Sequence, residues 1–324
     1  MWDTLWATHK KKVDVVVTNI IEHLALMRNE AGIAEIKAAS KARAKSLLHF
    51  ESVERFQHFQ EFQRLQTRVN PPQYVERLDW LRNRIHKGSP KWLFQAKEFQ
   101  EWLDMSKKEA TWLWLQGDPG CGKTYLAAAA VDKAKAAKQH QTLSVFATYN
   151  HDNSTTALSI TQSLVFQAAR GNDTKKTMVV EFSEHDLTGD GGKALELLKA
   201  LVAVSEGTYI IIDGLDEIDE SERRILIQRL DNLVRTSDQL KILICSRPED
   251  DIKIALRKKS KSLRVDKRNM ASIQAFVNYT TQEWMVHQDF DQSTESEVSS
   301  MLSPLAAQAE GTVQSLISQD FRAL

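Results

Sequence analysis

The sequence predicts an α/β fold in which helices cover a parallel sheet and an all-helical region precedes that sheet. Two observations carry this prediction. Beyond residue 110, five short apolar or β-branched runs alternate with helical patterns, and such alternation is typical of a parallel sheet with helices on both faces. Residues 13–69, in contrast, contain one glycine and no proline, which favours long helices.

The N-terminal region, residues 1–69, is predicted to form two long helices with a break near Asn29 to Gly32, because this glycine is the single one in the region. In the second helix an apolar residue stands at every third position from Phe50 to Leu65. An α-helix has about 3.6 residues per turn, so such a stripe winds around the helix and needs contacts on several sides. The pattern suits a helical bundle, or a helix that binds a partner or assembles with itself.

Residues 70–110 are predicted to connect this region to the sheet domain, which extends over residues 111–268. Aromatic side chains of the connecting segment are expected to pack against that domain rather than to stack on bases. They are Trp80, Trp92, Phe94, Phe99 and Trp102. Residues 269–324 are predicted to be a helical extension, because apolar residues recur there at helical spacing.

The five predicted strands are short runs separated by segments of helical periodicity. They occupy residues 111–117, 142–150, 208–213, 240–246 and 262–266. A helix is predicted between the third and fourth strands. Asp219 and Glu222 are spaced as a capping pair at its start, and apolar residues follow on one face at Leu226, Leu230 and Leu233.

A glycine-rich stretch follows the first predicted strand and precedes an alanine-rich helix. Its sequence, GDPGCGKT, fits the pattern GxxxxGK[ST], and its glycines and position favour a loop whose backbone N–H groups surround a phosphate. In this pattern the lysine reaches the β- and γ-phosphates, and the threonine hydroxyl binds Mg²⁺. The predicted nucleotide-binding residues are Gly117, Asp118, Pro119, Gly120, Cys121, Gly122, Lys123 and Thr124.

This arrangement predicts the three-layer sandwich of a P-loop NTPase, with the strand order 5-1-4-3-2. The ligands expected are ATP or GTP together with Mg²⁺. No residue pattern distinguishes adenine from guanine.

An acidic cluster follows the third predicted strand. Asp213 ends an apolar run, which is the position of the residue that holds Mg²⁺ in P-loop NTPases, so Thr124 and Asp213 are the predicted metal residues. Gly214 then opens a turn that presents Asp216 and Glu217. Either carboxylate could orient or activate the attacking water. Alternatively, the pair is a solvated helix start, where acidic residues favour the helix dipole.

Arg247 follows the fourth predicted strand, at the edge of the sheet where ligands bind in such folds. Its guanidinium could contact the γ-phosphate. It could instead pair with Asp216 or Glu217. The catalytic candidates are therefore Asp216, Glu217 and Arg247.

The composition narrows the classes of partner. Forty-three basic residues balance forty-three acidic ones, so no nucleic acid is expected as a partner. The basic stretch at 253–268 is interpreted as a solvated helix end, with contact to an anionic surface as the alternative. Two cysteines and the absence of a signal peptide pattern favour a reducing, cytoplasmic location. No apolar stretch is long enough to span a membrane, and the histidines show no metal-ligand spacing.

Three stretches together, WLWLQGDPGCGKTYL, YIIIDGLDEID and ILICSRPE, resemble the NACHT nucleotide-binding domain of signal-transducing NTPases. Within that class the sequence looks most like fungal proteins with a nephrocystin-like nucleotide-binding domain. The resemblance covers about residues 70–310. It implies a switch in which a diphosphate keeps the protein inactive and exchange for a triphosphate leads to oligomers that recruit signalling partners in cell death or defence.

In proteins of this family a winged helix and sensor repeats follow the stretch EGT, whereas this sequence ends at Leu324, shortly after that stretch. We therefore expect a form that is truncated at the C-terminus. The N-terminal helices look like the variable effector or adaptor region of the family.

Three functions are consistent with the sequence. A regulatory NTPase with slow turnover is the leading prediction. A P-loop phosphotransferase would use the same loop, but no second acceptor site with a recognisable base is evident. A scaffold with a structural nucleotide is the third, although Lys123, Thr124, Asp213 and Glu217 are all present.

Overall fold

The computed structural model describes residues 2–83, 90–136, 139–149, 155–182, 184–265 and 269. By its internal contacts the chain divides into two compact units, Met1–Gln60 and Glu61–Leu324. The predicted helical extension at 269–324 lies outside the described residues, except for Asn269.

The first helix, α1, extends without interruption over Trp2–Val69. The predicted break near Gly32 is therefore wrong. One glycine within a helix costs about 1 kcal/mol relative to alanine, and strong helix formers on both sides offset that amount. Many large apolar side chains of α1 are exposed, among them Val17, Leu24 and Phe56.

Ten further helices follow in the described part of the chain. They are α2 (Val75–Arg82), α3 (Lys91–Gln95), α4 (Lys97–Leu103), α5 (Lys123–Ala136), α6 (Ala157–Ala169), α7 (Asp173–Val180), α8 (Glu184–Gly189), α9 (Gly191–Ala203), α10 (Glu220–Thr236) and α11 (Asp250–Leu256). Short 3₁₀ turns lie at Lys108–Ala110 and Leu215–Glu217.

The sheet has five parallel strands. They are β1 (Trp112–Gln116), β2 (Gln141–Phe146), β3 (Thr208–Asp213), β4 (Leu240–Ser246) and β5 (Ser260–Arg264). Their order is β2-β3-β4-β1-β5, so the predicted order 5-1-4-3-2 is confirmed. The third and fourth strands have the predicted bounds, and the fifth begins two residues earlier than predicted.

The core lies on both faces of the sheet, since every residue of β3 and β4 is buried. Such strands read as continuous apolar runs rather than alternating ones. Helices α2 and α5 pack together, as do α6, α9 and α10. The sheet thus lies between helices, as expected of the three-layer sandwich.

The connecting segment packs against the sheet domain largely as predicted. Phe99 and Trp102 are fully buried, and the hydroxyl of Tyr209 in β3 donates a hydrogen bond to the backbone oxygen of Leu103 at 2.5 Å. Trp80 differs from the prediction, because it is 41% exposed and lines a cleft instead of the core.

The start of α10 also differs from the prediction. Asp219 is the N-cap residue, but its side chain makes no capping hydrogen bond. Glu222 accepts a hydrogen bond from the backbone N–H of Ala157 at 2.7 Å. The predicted capping pair is therefore wrong, because a contact with α6 engages the glutamate.

Candidate functional site

The predicted nucleotide loop, residues 117–124, leaves the carboxyl end of β1 and enters α5 at Lys123. Gly120 and Gly122 have φ values of 76° and 90°, a left-handed conformation that side chains with a Cβ rarely adopt. The N–H of Gly117 approaches the backbone oxygen of Ser246 at 3.4 Å, which joins the start of the loop to the end of β4. The loop therefore has the turn that the sequence motif requires.

Lys123 folds back over the loop. Its ammonium group donates to the backbone oxygens of Gly117 and Asp118, at 2.8 Å each. The ammonium is thus held against the backbone of the predicted nucleotide loop.

Asp213 ends β3 and is 4% exposed. Burial raises the pKa of its carboxyl to about 7, although a hydrogen bond with Thr124 and the charge of Lys123 act in the opposite direction. The hydroxyl and the carboxylate predicted to hold Mg²⁺ are therefore in direct contact. Oxygen donors of this kind suit Mg²⁺, which also keeps waters and phosphate oxygens as ligands.

No cluster of three or more His, Cys, Asp or Glu side chains that could hold a metal ion occurs within the described ranges. A metal at Thr124 and Asp213 would therefore depend on the nucleotide and water for most of its ligands. This is how Mg²⁺ is bound in P-loop NTPases.

Arg247 pairs with Asp216. Its Nε lies 3.0 Å from one carboxylate oxygen, and its backbone N–H donates to the other at 3.1 Å. Of the two interpretations of Arg247, the structure shows the ion pair. The guanidinium side chain is nevertheless 48% exposed, whereas that of Asp216 is 7% exposed.

Glu217 lies in the turn opened by Gly214, whose φ is 79°. Its carboxylate accepts a hydrogen bond from the backbone N–H of Tyr149 at 3.1 Å. A Cβ at position 214 would stand 2.6 Å from the backbone oxygen of Ala147. The turn therefore packs closely against the segment after β2, which fixes where Glu217 stands.

Arg223 stabilises the acidic turn, and no motif in the sequence indicates this residue. It is 5% exposed and contacts Glu249 at 2.7 Å and Asp251 at 2.8 Å. It also donates to the backbone oxygen of Ile218 at 2.8 Å. Ile218 follows β3, whereas Glu249 and Asp251 follow β4. These partners lie close together because the two strands are neighbours in the sheet.

The loop, Asp213 and Arg247 come from the carboxyl ends of β1, β3 and β4, which are neighbours in the sheet. They line one cleft of about 420 Å³. Arg77 and Trp80 of α2 line it too, with the Arg77 guanidinium 4.8 Å from the centre of the Trp80 ring. No sequence motif marks these two residues, so the sequence does not predict a role for them in the site.

Two other expectations concern residues outside the cleft. Both cysteines are buried and neither forms a disulfide bond, and burial raises the pKa of the Cys245 thiol well above its usual range, which disfavours a nucleophilic role. In the basic stretch, Lys259 pairs with Asp231 and Lys261 with Glu101, at 2.5 Å each. These pairs favour a structural role for the described part of that stretch.

Comparisons with known proteins agree with this geometry. Strand order, loop and acidic strand end define a P-loop nucleotide-binding domain.

Residues 88–247 match the family model described as Nephrocystin 3, N-terminal. A search of curated proteins finds the vegetative incompatibility protein HET-E-1 of Podospora anserina, 26% identical over 228 residues. The chain is therefore similar to nephrocystin-like proteins over residues 88–247 and to a fungal incompatibility protein over 228 residues, so the resemblance predicted from the sequence is confirmed.

The match to HET-E-1 covers 65% of this chain and 16% of that protein. The chain thus corresponds to a small part of its relative's length. Within the described residues, no helix combines the length and apolar character needed to cross a membrane.

Solved structures with a similar arrangement include the Drosophila ORC bound to poly(dA/dT) DNA and Cdc6, with a TM-score of 0.39, 11% identity and coverage of 76% of this chain and 42% of that one. The Walker-type ATPase of Pyrococcus abyssi gives a TM-score of 0.38 at 12% identity, covering 68% of this chain and 69% of that chain. Structural similarity at these TM-scores does not establish the fold. The fold is instead assigned from the strand order and the geometry of the loop.

Proposed function

We propose that the chain is the nucleotide-binding switch of a NACHT-type signalling protein, which binds ATP or GTP with Mg²⁺ and hydrolyses it slowly. The observation that carries this proposal is the convergence of Lys123, Thr124 and Asp213 with the glycine-rich loop in one cleft. Bound Mg²⁺ would neutralise charge on the phosphates. Thr124 and Asp213 would hold it.

Lys123 is proposed to exchange its backbone partners for phosphate oxygens. The ammonium now donates to two neutral carbonyls, and phosphate oxygens would add the attraction of opposite charges to the hydrogen bonds. The loop's N–H groups and the N-terminus of α5 favour an anion at the same place. Phosphate binding therefore needs no large movement of the loop.

Glu217 is proposed to orient the attacking water, while Asp216 holds Arg247. Arg247 engages both oxygens of Asp216, one through its side chain and the other through its backbone N–H, whereas Glu217 has one oxygen bonded to a backbone N–H. A carboxylate with a second oxygen available can accept a hydrogen bond from water. The structure thus favours Glu217 over Asp216 for this role.

Arg247 is proposed to report the state of the nucleotide. Its half-exposed guanidinium lines the cleft, and a γ-phosphate would compete with Asp216 for it, since both are anions that suit its planar fork. Release of Asp216 would then loosen the acidic turn. Two arrangements of one ion pair would distinguish the triphosphate from the diphosphate.

The wider role is proposed from the relative. HET-E-1 is named a vegetative incompatibility protein, and we propose a comparable role in cell death or innate immunity, in the cytoplasm and through self-association. We also propose four parts of the chain: a helical region, a connecting segment, the sheet domain and a helical extension. They comprise residues 1–69, 70–110, 111–268 and 269–324. No nucleic acid is included among the proposed partners.

Hydrolysis by the Glu217→Gln variant tests the proposal. We expect it to bind MgATP or MgGTP like the wild type, to turn over at least about a hundredfold more slowly, and to associate more strongly in the triphosphate state. Phosphate release and sedimentation measure the two effects. Glu220→Gln, at the exposed start of α10, is the matched control. Wild-type turnover in Glu217→Gln would remove the glutamate from the mechanism.

A further inference from the structure

Asn269 lies beside the nucleotide loop although 145 positions separate it from the loop's last residue, Thr124. Its side chain is buried, and both ends of the carboxamide are hydrogen-bonded. Nδ2 donates to the backbone oxygen of Cys121 at 2.7 Å, and Oδ1 accepts from the indole N–H of Trp92 at 3.1 Å. Since the indole nitrogen can only donate, this contact fixes which end of the amide faces the loop.

The sheet holds the backbone of Asn269 in place. Its N–H donates to the oxygen of Val265 at 3.1 Å, and the N–H of Val265 donates to the oxygen of Gln116 at 2.9 Å. Gln116 is the last residue of β1, from which the loop continues. The backbone of Asn269 is therefore linked by hydrogen bonds, through Val265, to the strand from which the loop continues.

Gly122 packs directly against this carboxamide. A Cβ at position 122 would stand 2.5 Å from Nδ2 of Asn269, a distance at which one group has to move. Glycine at this position thus meets two requirements. It leaves room for the carboxamide, and it adopts a φ of 90°, which other residues rarely do. The loop and Asn269 have complementary shapes.

We infer that Asn269 is a positioning residue for the nucleotide loop, an inference that rests on the proposed nucleotide binding. A trans peptide unit holds its C=O and N–H in opposite directions. By holding the oxygen of Cys121, Asn269 directs the N–H of Gly122 away from itself and toward the cleft, which Gly122 lines. A phosphate oxygen accepts that N–H, and Trp92 fixes Asn269 in the orientation required.

The Asn269→Asp variant tests this directly. It keeps the shape of the side chain and replaces the Nδ2 donor by an oxygen that faces the oxygen of Cys121. We expect the dissociation constants for MgATP and MgGTP, measured by calorimetry, to rise about tenfold or more. Asn269→Ala, which removes the donor without adding a charge, replaces it if the aspartate variant does not fold.

Gln162→Glu is the matched control. Gln162 in α6 is another buried amide that donates to a backbone oxygen, that of Leu187 at 2.8 Å, and the same amide-to-carboxylate change is made there. We expect it to lower the unfolding temperature without changing either dissociation constant. Equal changes of affinity in both variants, or wild-type affinity in Asn269→Asp, overturn the inference.

A double-mutant cycle tests the part played by Trp92. We expect Trp92→Phe to weaken nucleotide binding in the wild type and to have no further effect in Asn269→Ala, since the indole acts through the carboxamide. Additive effects overturn the role given to Trp92. If the wild type itself binds neither nucleotide, the proposed function has failed, and this outcome is distinct from failure of the inference.

Discussion

The carboxylate of Asp213 is the proposed metal ligand, and its burial disfavours the charged form. Burial raises its pKa to about 7, and the hydrogen bond with Thr124 and the charge of Lys123 do not fully offset that effect. An incoming cation would relieve the penalty. The sequence indicated this residue, but the strength of its burial depends on strands β2 and β4 at its sides.

We expect Asp213→Asn to raise the free energy of unfolding of the nucleotide-free protein at about pH 8 and to change it little near pH 4. The folded-state pKa is above the unfolded value of about 3.9, so the folded protein binds more protons between that value and about 7. Wild-type stability therefore falls as the pH rises through this window, whereas the variant lacks this titration.

Urea denaturation of both proteins across the pH range measures the difference. Asp219→Asn, which makes the same change at an exposed carboxylate, is the control. A stability difference between wild type and Asp213→Asn that is the same at both ends of the range would contradict the account.

At the scale of the elements, the strands were predictable and the side-chain partners were not. The runs at 208–213 and 240–246 coincide with β3 and β4, because strands buried on both faces have continuous apolar sequences. The partners of Arg247 and Arg223 depend on which strands are neighbours. Glu222 satisfied a capping pattern, but the N–H of Ala157 on another helix engages it.

Helix α1 presents an exposed apolar seam. Val13, Val17, Ile20, Leu24 and Met27 are all exposed and follow one another at alternating intervals of four and three residues. This is the spacing of a coiled coil, in which such residues pack against a second helix. The seam supports self-association as the proposed role of this region.

We expect the double variant Val17→Asn/Leu24→Asn to weaken self-association of the full chain by about tenfold or more, because both seam residues lose apolar burial. Val15→Asn/Leu26→Asn changes the same residue types on the opposite face of the helix, where both are exposed. Sedimentation equilibrium compares the two. Equal effects would show that the seam is not the contact.

At the scale of the whole molecule, the order of the strands creates the site. Because β4 lies between β1 and β3, the loop, Arg247 and Asp213 reach one edge from three neighbouring strands. The sequence predicted this order from the loop motif. Arg77 and Trp80 at the cleft, and Asn269 at the loop, carry no motif and depend on how separate segments pack.

Calorimetric titration of MgATP and MgGTP into the wild type, Lys123→Ala and Lys133→Ala tests the central claim most directly. Lys133 lies on the same helix as Lys123 and is exposed, so it is the matched control. We expect the wild type and Lys133→Ala to bind at least one nucleotide with equal affinity and Lys123→Ala to lose binding. Well-folded wild-type protein that gives no binding heat with either nucleotide, or equal binding by Lys123→Ala, would contradict it.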